Sequence, residues 1–154
     1  MRLRPPWLVV FCGSALLTCA GLGWSAELIT AEEALASQAE VPMLAVDATS
    51  ANPQGPVISV VDAEALAQPV KNPFSLEILM QAQRDAELNL GSFKAFYGAF
   101  KIDITERLLK EASKTVTGLR LANLQIPLGF HKILLRVSDS KGRTAEKEIV
   151  FKVE

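Results

Sequence analysis

The end of the chain constrains the fold most, because it has the pattern of two strands joined by a tight turn. Apolar residues alternate with polar ones from Phe130 to Ser138, and again from Thr144 to Glu154. Between the two runs, Asp139-Ser-Lys-Gly142 has the composition of a turn, and Gly142 supplies the positive φ that other residues avoid. Alternation with a period of two indicates strands that bury one face. The segment therefore predicts a β-hairpin at the edge of an apolar core.

Shorter alternating runs upstream predict further strands. In one of them Leu76, Ile78 and Met80 share a face, and in another Phe93, Ala95 and Tyr97 do. Residues 84–91 are expected to form a polar connection, and Glu106 to Lys114 a short helix capped by Thr105. About seven strands with one short helical excursion have the size and strand density of an all-β, immunoglobulin-like antiparallel β-sandwich. The strands upstream of the hairpin are expected at residues 57–61, 74–82, 92–97, 101–105 and around 119–121.

The N-terminal part of the chain is predicted to lie outside this domain. Residues 1–25 have the form of a secretory signal peptide, with a short basic start, an apolar run and small residues at the end. Residues 26–55 have the composition of a flexible linker, in which Thr30-Ala-Glu-Glu33 is able to cap one helical turn. The β-sandwich is then expected over residues 56–154. This organisation predicts an exported protein, periplasmic or extracellular.

Two alternatives attach the protein to a membrane. The apolar run of the leader approaches the length that a membrane-spanning helix needs, so an uncleaved anchor stays open. Leu16-Leu-Thr-Cys19 resembles a bacterial lipobox, in which the cysteine becomes the lipidated first residue, although Thr18 departs from the usual small residue. Cys12 and Cys19 are the two cysteines of the chain, so a chain cut near Ser25 carries no disulfide.

The composition argues against several classes of function. The formal net charge is -1, which is too mild to imply a nucleic-acid partner. His131 is the one histidine, so a histidine cluster for a metal or a catalytic dyad cannot form within one chain. The sequence has no glycine-rich phosphate loop and no nucleophile-elbow motif. We therefore expect no enzyme activity, no cofactor and no metal site.

The hairpin region also supports a resemblance. The stretch Gly129-Phe-His-Lys-Ile-Leu-Leu-Arg-Val-Ser-Asp-Ser-Lys-Gly142 resembles the closing strands of immunoglobulin-like and fibronectin-like modules of exported bacterial proteins. The resemblance covers Ala122 to Val153 well and Ser92 to Arg107 more loosely. It implies a sandwich used as a spacer, adhesion element or docking surface. In such modules the position of His131 often carries a corner tyrosine, which ties the preceding loop to the strand.

A few residues stand out as structural or binding candidates. His131, Asp139 and Gly142 are interpreted as corner and turn residues; a ligand role for His131 and a calcium site at Asp139 are the weaker alternatives. Phe96, Tyr97 and Phe100 are the clustered aromatic residues of residues 26–154. They form either part of the core or a partner-binding surface.

These observations predict a non-catalytic exported module that acts through protein–protein contact, most simply with another exported protein. The alternative is a small carbohydrate- or lipid-binding module of the cell envelope. The scarcity of aromatic residues after the leader speaks against the carbohydrate version.

Overall fold

A computed structural model describes residues 28–38, 49–50 and 53–154. These residues form an all-β fold of two antiparallel sheets that pack face to face around one apolar core. The helices are α1 (Ala31–Gln38), α2 (Ala63–Leu66) and α3 (Thr105–Glu111). The strands are β1 (Thr49–Ser50), β2 (Val57–Val60), β3 (Phe74–Gln81), β4 (Leu88–Tyr97), β5 (Ile102–Asp103), β6 (Ala112–Lys114), β7 (Gly118–Leu124), β8 (Gly129–Asp139) and β9 (Thr144–Val153).

The nine strands of the described residues are distributed between the two sheets. The five-stranded sheet runs β1-β9-β8-β4-β5, and the four-stranded sheet runs β2-β3-β7-β6. The predicted terminal hairpin is confirmed: β8 and β9 pair without interruption from Ser138 opposite Thr144 to Gly129 opposite Val153. This long register places one face of both strands against the core, as their alternation requires.

The core forms where the alternating apolar residues of the two sheets meet. Leu76, Ile78 and Met80 of β3 are buried, as predicted from their shared face. Phe93, Ala95 and Tyr97 of β4 are buried from the opposite sheet. Full burial of each large apolar side chain contributes about 1.5–3 kcal/mol, so the sandwich is held mainly by packing between the sheets.

The helical excursion differs from its prediction. The helix α3 ends at Glu111, and Ala112–Lys114 instead forms strand β6, which pairs with Leu119–Leu121 of β7. Thr105 is not the cap, because the N-cap position belongs to Ile104. The hydroxyl of Thr105 accepts a hydrogen bond from the Ala95 amide at 2.9 Å, so it fastens α3 to β4. The predicted polar connection also ends early, since β4 begins at Leu88.

Residues 28–38, which the sequence assigns to the flexible linker, pack as part of the domain. Leu28 and Ile29 are only 3% and 0% exposed. The expected capping box forms: the Thr30 amide donates to Glu33 Oε2, and the Glu33 amide donates to Thr30 Oγ1. The linker prediction fails here because an apolar pair within a polar stretch finds its partners far along the chain. The predicted signal peptide and the remainder of the linker before residue 53, apart from β1, lie outside the described residues.

An ion pair joins α1 to α3. The guanidinium of Arg107 donates two hydrogen bonds to the Glu33 carboxylate, at 3.0 and 2.7 Å. The hydrogen bonds from Arg107 lower the pKa of Glu33 against the effect of its partial burial. The pair holds α1 over the end of the sandwich where β4 ends and α3 begins.

Candidate functional site

The outer face of the five-stranded sheet carries apolar side chains where a solvent-facing sheet normally carries polar ones. Phe96 of β4 lies directly opposite Leu134 of β8, and Leu134 is opposite Glu148 of β9. Val150, two residues beyond Glu148, is the diagonal neighbour of Leu134 on the same face. All three apolar side chains are half-buried. We call Phe96, Leu134 and Val150 the apolar diagonal.

Ion pairs flank the apolar diagonal. Lys94 pairs with Asp103 at 3.3 Å, and Lys132 pairs with Glu148 at 2.7 Å. Arg136 donates from Nε to Glu146 Oε1 at 2.6 Å. These pairs balance one another in charge, so the face has an apolar centre and an electrically neutral rim.

Arg136 also covers one side of the diagonal. Its guanidinium carbon lies 5.6 Å from the centre of the Phe96 ring, a distance at which a cation is attracted to an aromatic face. The contact holds the Phe96 ring in place on the sheet surface. An arginine stacked on an aromatic residue is a composition that protein interfaces favour.

Phe100 lies in the turn that follows β4, four residues after Phe96. Its side chain is 68% exposed. Gly98 and Lys101 of the same turn have φ angles of 68° and 51°, and the Gly98 amide donates to the Lys132 carbonyl at 2.9 Å. A Cβ atom at Gly98 would lie 2.8 Å from Ser37 Oγ. The turn is therefore seated against α1, and Phe100 is presented on a fixed support.

Tyr97, the third of the aromatic candidates, does not belong to the surface. It is fully buried, because alternation along β4 turns it to the face opposite Phe96. Burial raises the pKa of the Tyr97 phenol, and the nearby Glu33 charge adds to the effect. The hydroxyl thus stays protonated and able to donate a hydrogen bond. A direct partner contact by Tyr97 is excluded by this geometry.

Tyr97 instead contacts the single histidine. His131 is 0% exposed. Its Nε2 lies 2.8 Å from the Pro127 carbonyl oxygen, and its Nδ1 lies 2.8 Å from the Tyr97 hydroxyl oxygen. Because a carbonyl only accepts, Nε2–H is the donor and Nδ1 accepts from Tyr97. Burial lowers the pKa of His131, with the Pro127 bond acting in the opposite direction. The ring is therefore a neutral tie between the corner and two strands.

Ser37 of α1 completes this buried polar group. Its hydroxyl lies close enough to Tyr97 to lower the phenol pKa against the larger effect of burial. Among the described residues, however, the Ser37 hydroxyl finds no hydrogen bond of regular geometry. Within this cluster the Ser37 oxygen is able to accept a further hydrogen bond, whereas the Tyr97 hydroxyl already donates to His131.

Asp139 and Gly142 lie in the β8–β9 turn. Asp139 Oδ1 accepts from the backbone amides of Lys141 and Arg143, and Oδ2 accepts from Arg143 Nε at 2.6 Å. Burial raises the pKa of Asp139, but the hydrogen bonds from Arg143 and Lys141 outweigh it, so the pKa lies below its ordinary value. Gly142 has a φ of 75°. Both carboxylate oxygens of Asp139 thus accept hydrogen bonds from the turn backbone or from the Arg143 side chain.

Arg143 and Lys141 connect this turn to the β3–β4 loop. Arg143 Nη2 lies 2.9 Å from Asp85 Oδ1, and Lys141 Nζ lies 2.6 Å from Asp85 Oδ2. The hydrogen bonds from Arg143 and Lys141 hold the pKa of Asp85 well below its ordinary value. The network is a structural tie at one end of the sandwich, and within the described ranges no cluster of three or more His, Cys, Asp or Glu side chains is placed to hold a metal ion.

A pocket of about 330 Å³ opens at the edge of the sandwich, between β4 and β7. Helix α3 contributes Thr105 and Leu109 to its wall. The remaining lining residues come from the four strands around it: Met80, Leu90, Gly91, Phe93, Lys94, Lys114, Gly118 and Leu119. The pocket does not include any of Phe96, Tyr97, Phe100 or His131, and Lys94 is the one lining residue that it shares with the ion pairs flanking the outer face.

Sequence reasoning missed Leu134, Val150 and Arg136 as members of the outer face. A signal for two of them was present. Each strand of the hairpin contains three apolar residues in succession, at 133–135 and at 149–151. A strict inside–outside alternation leaves the middle residue of such a run on the solvent side. The Arg136–Phe96 contact depends on strand register and has no local signal.

Two further observations bear on the class of protein. Within the described ranges, the helices are too short and too polar for any to traverse a lipid bilayer. No protein-family model, no curated protein and no solved structure matches this chain.

Proposed function

We propose that this protein is a non-catalytic, exported immunoglobulin-like module that acts by protein–protein contact through the outer face of its five-stranded sheet. The apolar diagonal of Phe96, Leu134 and Val150 is the observation that carries the proposal. Exported location rests on the leader-like residues 1–25 and on the resemblance of the terminal hairpin to modules of exported bacterial proteins.

The strand order supports the immunoglobulin-like part of the proposal. Such domains pair strands A, B, E and D in one sheet and C, F and G in the other, with C′ beside C in some forms. Labelling β2, β3, β4 and β5 as A, B, C and C′, and β6 to β9 as D to G, reproduces both sheets. In this labelling β1 is an added two-residue strand beside G.

The histidine corner supports it further. Immunoglobulin-like domains often carry a tyrosine near the start of strand F whose hydroxyl bonds to backbone a few residues upstream. His131 stands near the start of β8 and donates to the carbonyl of Pro127, four residues upstream. The same tie is therefore made with an imidazole, and the Tyr97 hydroxyl occupies the second ring nitrogen.

The outer face has the composition that a docking surface needs. Interfaces bury an apolar centre behind a polar rim, and arginine and aromatic residues are enriched in the centre. Here the apolar diagonal and Arg136 form the centre, and the lysine–carboxylate pairs form the rim. Because these pairs neutralise one another, the partner is recognised by apolar fit. We expect its association rate to depend only weakly on salt.

Catalysis has little support from the same geometry. The buried polar group of Ser37, Tyr97 and His131 has the residue types of a hydrolytic site, but all three are covered. His131 is also fixed as a donor to Pro127 and an acceptor from Tyr97, so it is not free to activate a serine. The cluster is therefore interpreted as a structural tie.

The test is crosslinking in the native host followed by affinity capture, with matched variants. Phe96→Ala and Val150→Ser should each weaken capture of the partner about tenfold or more, as truncation at the centre of an interface does. Val116→Ser is the control, because Val116 is fully exposed in the β6–β7 turn, away from this face. Far-UV circular dichroism checks that every variant folds.

The outcome separates docking from a structural role. Loss of capture in Phe96→Ala and Val150→Ser, with capture retained in Val116→Ser, supports the proposal. Capture of no protein, or equal capture by all three variants, would contradict it. A large loss of folding stability in Phe96→Ala would also count against it, since a half-buried surface ring contributes little to the core.

A further inference from the structure

The pocket at the sandwich edge indicates a second site, which shares Lys94 with the rim of the proposed docking face. We propose that it binds the alkyl chain of a single fatty-acid carboxylate, with Lys94 and Lys114 receiving the carboxylate. The backbone that opens the pocket, its apolar lining and its two lysines together favour this ligand.

An irregularity in β4 opens the pocket. Asn89 pairs with Ser138 and Lys94 pairs with Arg136, so the register between β4 and β8 shifts within residues 90–93. Ser92 holds this bulge, since its hydroxyl donates to the Asn89 carbonyl at 2.6 Å and accepts from the Ser138 amide at 2.8 Å. Bulges of this kind redirect side chains and are frequent beside binding sites. Here the bulge turns Leu90 and Gly91 to the pocket instead of closing the sheet edge.

On the β7 side of the pocket, the backbones of β7 and β3 approach each other closely at Gly118. A Cβ atom at Gly118 would lie 1.9 Å from the Ile78 carbonyl oxygen, so only glycine permits this approach of β7 to β3. The two strands are thereby kept together where Gly118 lines the pocket, and α3 contributes Thr105 and Leu109 to the wall. The hollow is a consequence of the backbone geometry and does not require a side chain to move away.

The interior of the pocket is apolar. Met80, Phe93 and Leu119 are buried at its base, and Leu90 and Leu109 flank it nearer the surface. Methionine adapts its shape to irregular ligands because its side chain is unbranched and flexible. Thr105 is the one hydroxyl in the lining, and the Ala95 amide already occupies its oxygen. A carbohydrate would find few hydrogen-bond partners here, whereas an alkyl chain needs none.

Both charged residues of the lining are lysines. Lys114 is exposed and makes no ion pair with the residues that the structure describes. Lys94 pairs with Asp103 across a solvent-exposed distance of 3.3 Å. Exposed pairs of this kind contribute little, so Lys94 is able to turn toward a bound anion. An apolar pocket whose lining charges are both positive is complementary to a carboxylate that carries an apolar tail.

The volume restricts the ligand to one chain. Small-molecule pockets span about 300–1,000 Å³, and this pocket, at about 330 Å³, is at the lower limit. A single alkyl chain of medium length suits that space, while a lipid with two chains does not. Decanoate is therefore the probe of choice, used well below the concentration at which it forms micelles.

The experiment compares decanoate with decanol by isothermal titration calorimetry on the 154-residue chain. The wild type should bind one decanoate, and decanol about fivefold more weakly, the factor expected for one exposed charge interaction. Lys114→Ala should weaken decanoate by about the same factor and leave decanol unchanged. Lys110→Ala is the matched control, because Lys110 is exposed on α3 but does not line the pocket. It should bind decanoate as the wild type does.

Filling the pocket tests the position of the chain. Leu109→Trp should reduce binding of both ligands more than tenfold, and Leu109→Phe, a milder change, should reduce it less. Phe96→Ala, on the docking face, should leave decanoate binding intact. Absence of decanoate binding, binding that survives Leu109→Trp, or equal losses in Lys114→Ala and Lys110→Ala would each overturn the proposal. Binding to the apolar residues of the leader would survive Leu109→Trp and would be the same in every variant.

Discussion

Lowering the pH from 7.5 to 5 is expected to reduce the free energy of unfolding through one residue, His131. The ring is 0% exposed and bonded at both nitrogens. Burial lowers its pKa below the ordinary value of 6.5, so the folded protein keeps the ring neutral at a pH where the unfolded chain protonates it. Stability from this residue is therefore fully present above pH 6.5, and it is lost as the pH falls toward the folded-state pKa.

The size of the effect follows from proton linkage. One proton taken up by the unfolded chain alone reduces the free energy of unfolding by at most about 1.4 kcal/mol for each pH unit below 6.5. The loss stops once the folded ring is itself protonated. Protonation makes Nδ1 a donor, so the Tyr97 hydroxyl must turn away from it, and the Ser37 oxygen is the acceptor within reach. This alternative hydrogen bond allows the folded protein to hold a protonated His131, which limits the loss in the free energy of unfolding.

The measurement is urea unfolding of the full chain, followed by circular dichroism at several pH values between 7.5 and 5 and at constant ionic strength. Carboxylates do not obscure the window, because the pKa values of Glu33, Asp85 and Asp139 are lowered from ordinary values that already lie below 5. His131→Tyr is the control. Its hydroxyl is able to donate to the Pro127 carbonyl, and it does not titrate in this range.

The wild type and His131→Tyr are expected to differ in their pH dependence. Wild type should lose stability below pH 6.5, and His131→Tyr should show a nearly flat profile over the same range. A flat wild-type profile, or the same slope in both proteins, would refute the assignment of a buried neutral imidazole. His131→Phe should be less stable than His131→Tyr at pH 7.5, because it leaves both Pro127 and Tyr97 without their partner.

Two further changes probe the attachment of α1. Gly98→Ala should destabilise the protein by at least about 1–2 kcal/mol, because alanine is strained at a φ of 68° and its Cβ would meet Ser37. In urea unfolding, Ser37→Ala should recover part of this loss, and strictly additive effects would show that the contact is unimportant. Glu33→Gln and Arg107→Gln should show a coupling of about 1 kcal/mol in a double-mutant cycle at pH 7. Since the pKa of Glu33 lies below its ordinary value of 4.5, the coupling should begin to decline below about pH 4.5 and should be lost as the pH falls through the lowered pKa. A coupling that shows no decline at all on acidification would refute the ion pair.

The terminal hairpin and the faces of β3 and β4 were predictable because each depends on local alternation. A strand that buries one face repeats every two residues, and this pattern is visible without knowledge of its partner. Ile133 and Ile149 illustrate the point: each is the inward residue of its own strand, and the two lie opposite each other. The number and length of the predicted strands indicate two sheets, but they do not show which strand belongs to which sheet.

Features that depend on distant partners were not predictable in the same way. Ala112–Lys114 has a helical composition, but pairing with β7 makes it a strand, because tertiary contacts outweigh weak intrinsic propensities. Leu28 and Ile29 looked like part of a linker because their neighbours are polar. Their burial depends on packing against the end of a sandwich whose strands follow them in the chain.

Only part of the candidate docking surface was predictable from the sequence. Composition drew attention to the aromatic cluster, and alternation was able to separate Phe96, which faces outward, from Tyr97, which faces the core. It could not show that Leu134 lies beside Phe96, because that neighbourhood is set by the register between β4 and β8. The pocket was hidden for a similar reason, since a bulge in β4 and a close approach at Gly118 are properties of paired backbones.

The position of α1 also has a consequence for the order of folding. Glu33 and Arg107 are 74 residues apart, and at about 5–20 residues per second a ribosome needs about 4–15 s to make the intervening chain. During that time Leu28 and Ile29 have no core to enter, and they remain solvent-accessible until β4, α3 and β8 exist. Docking of residues 28–38 is therefore a late event in folding. We expect the same segment to detach early under mild destabilisation.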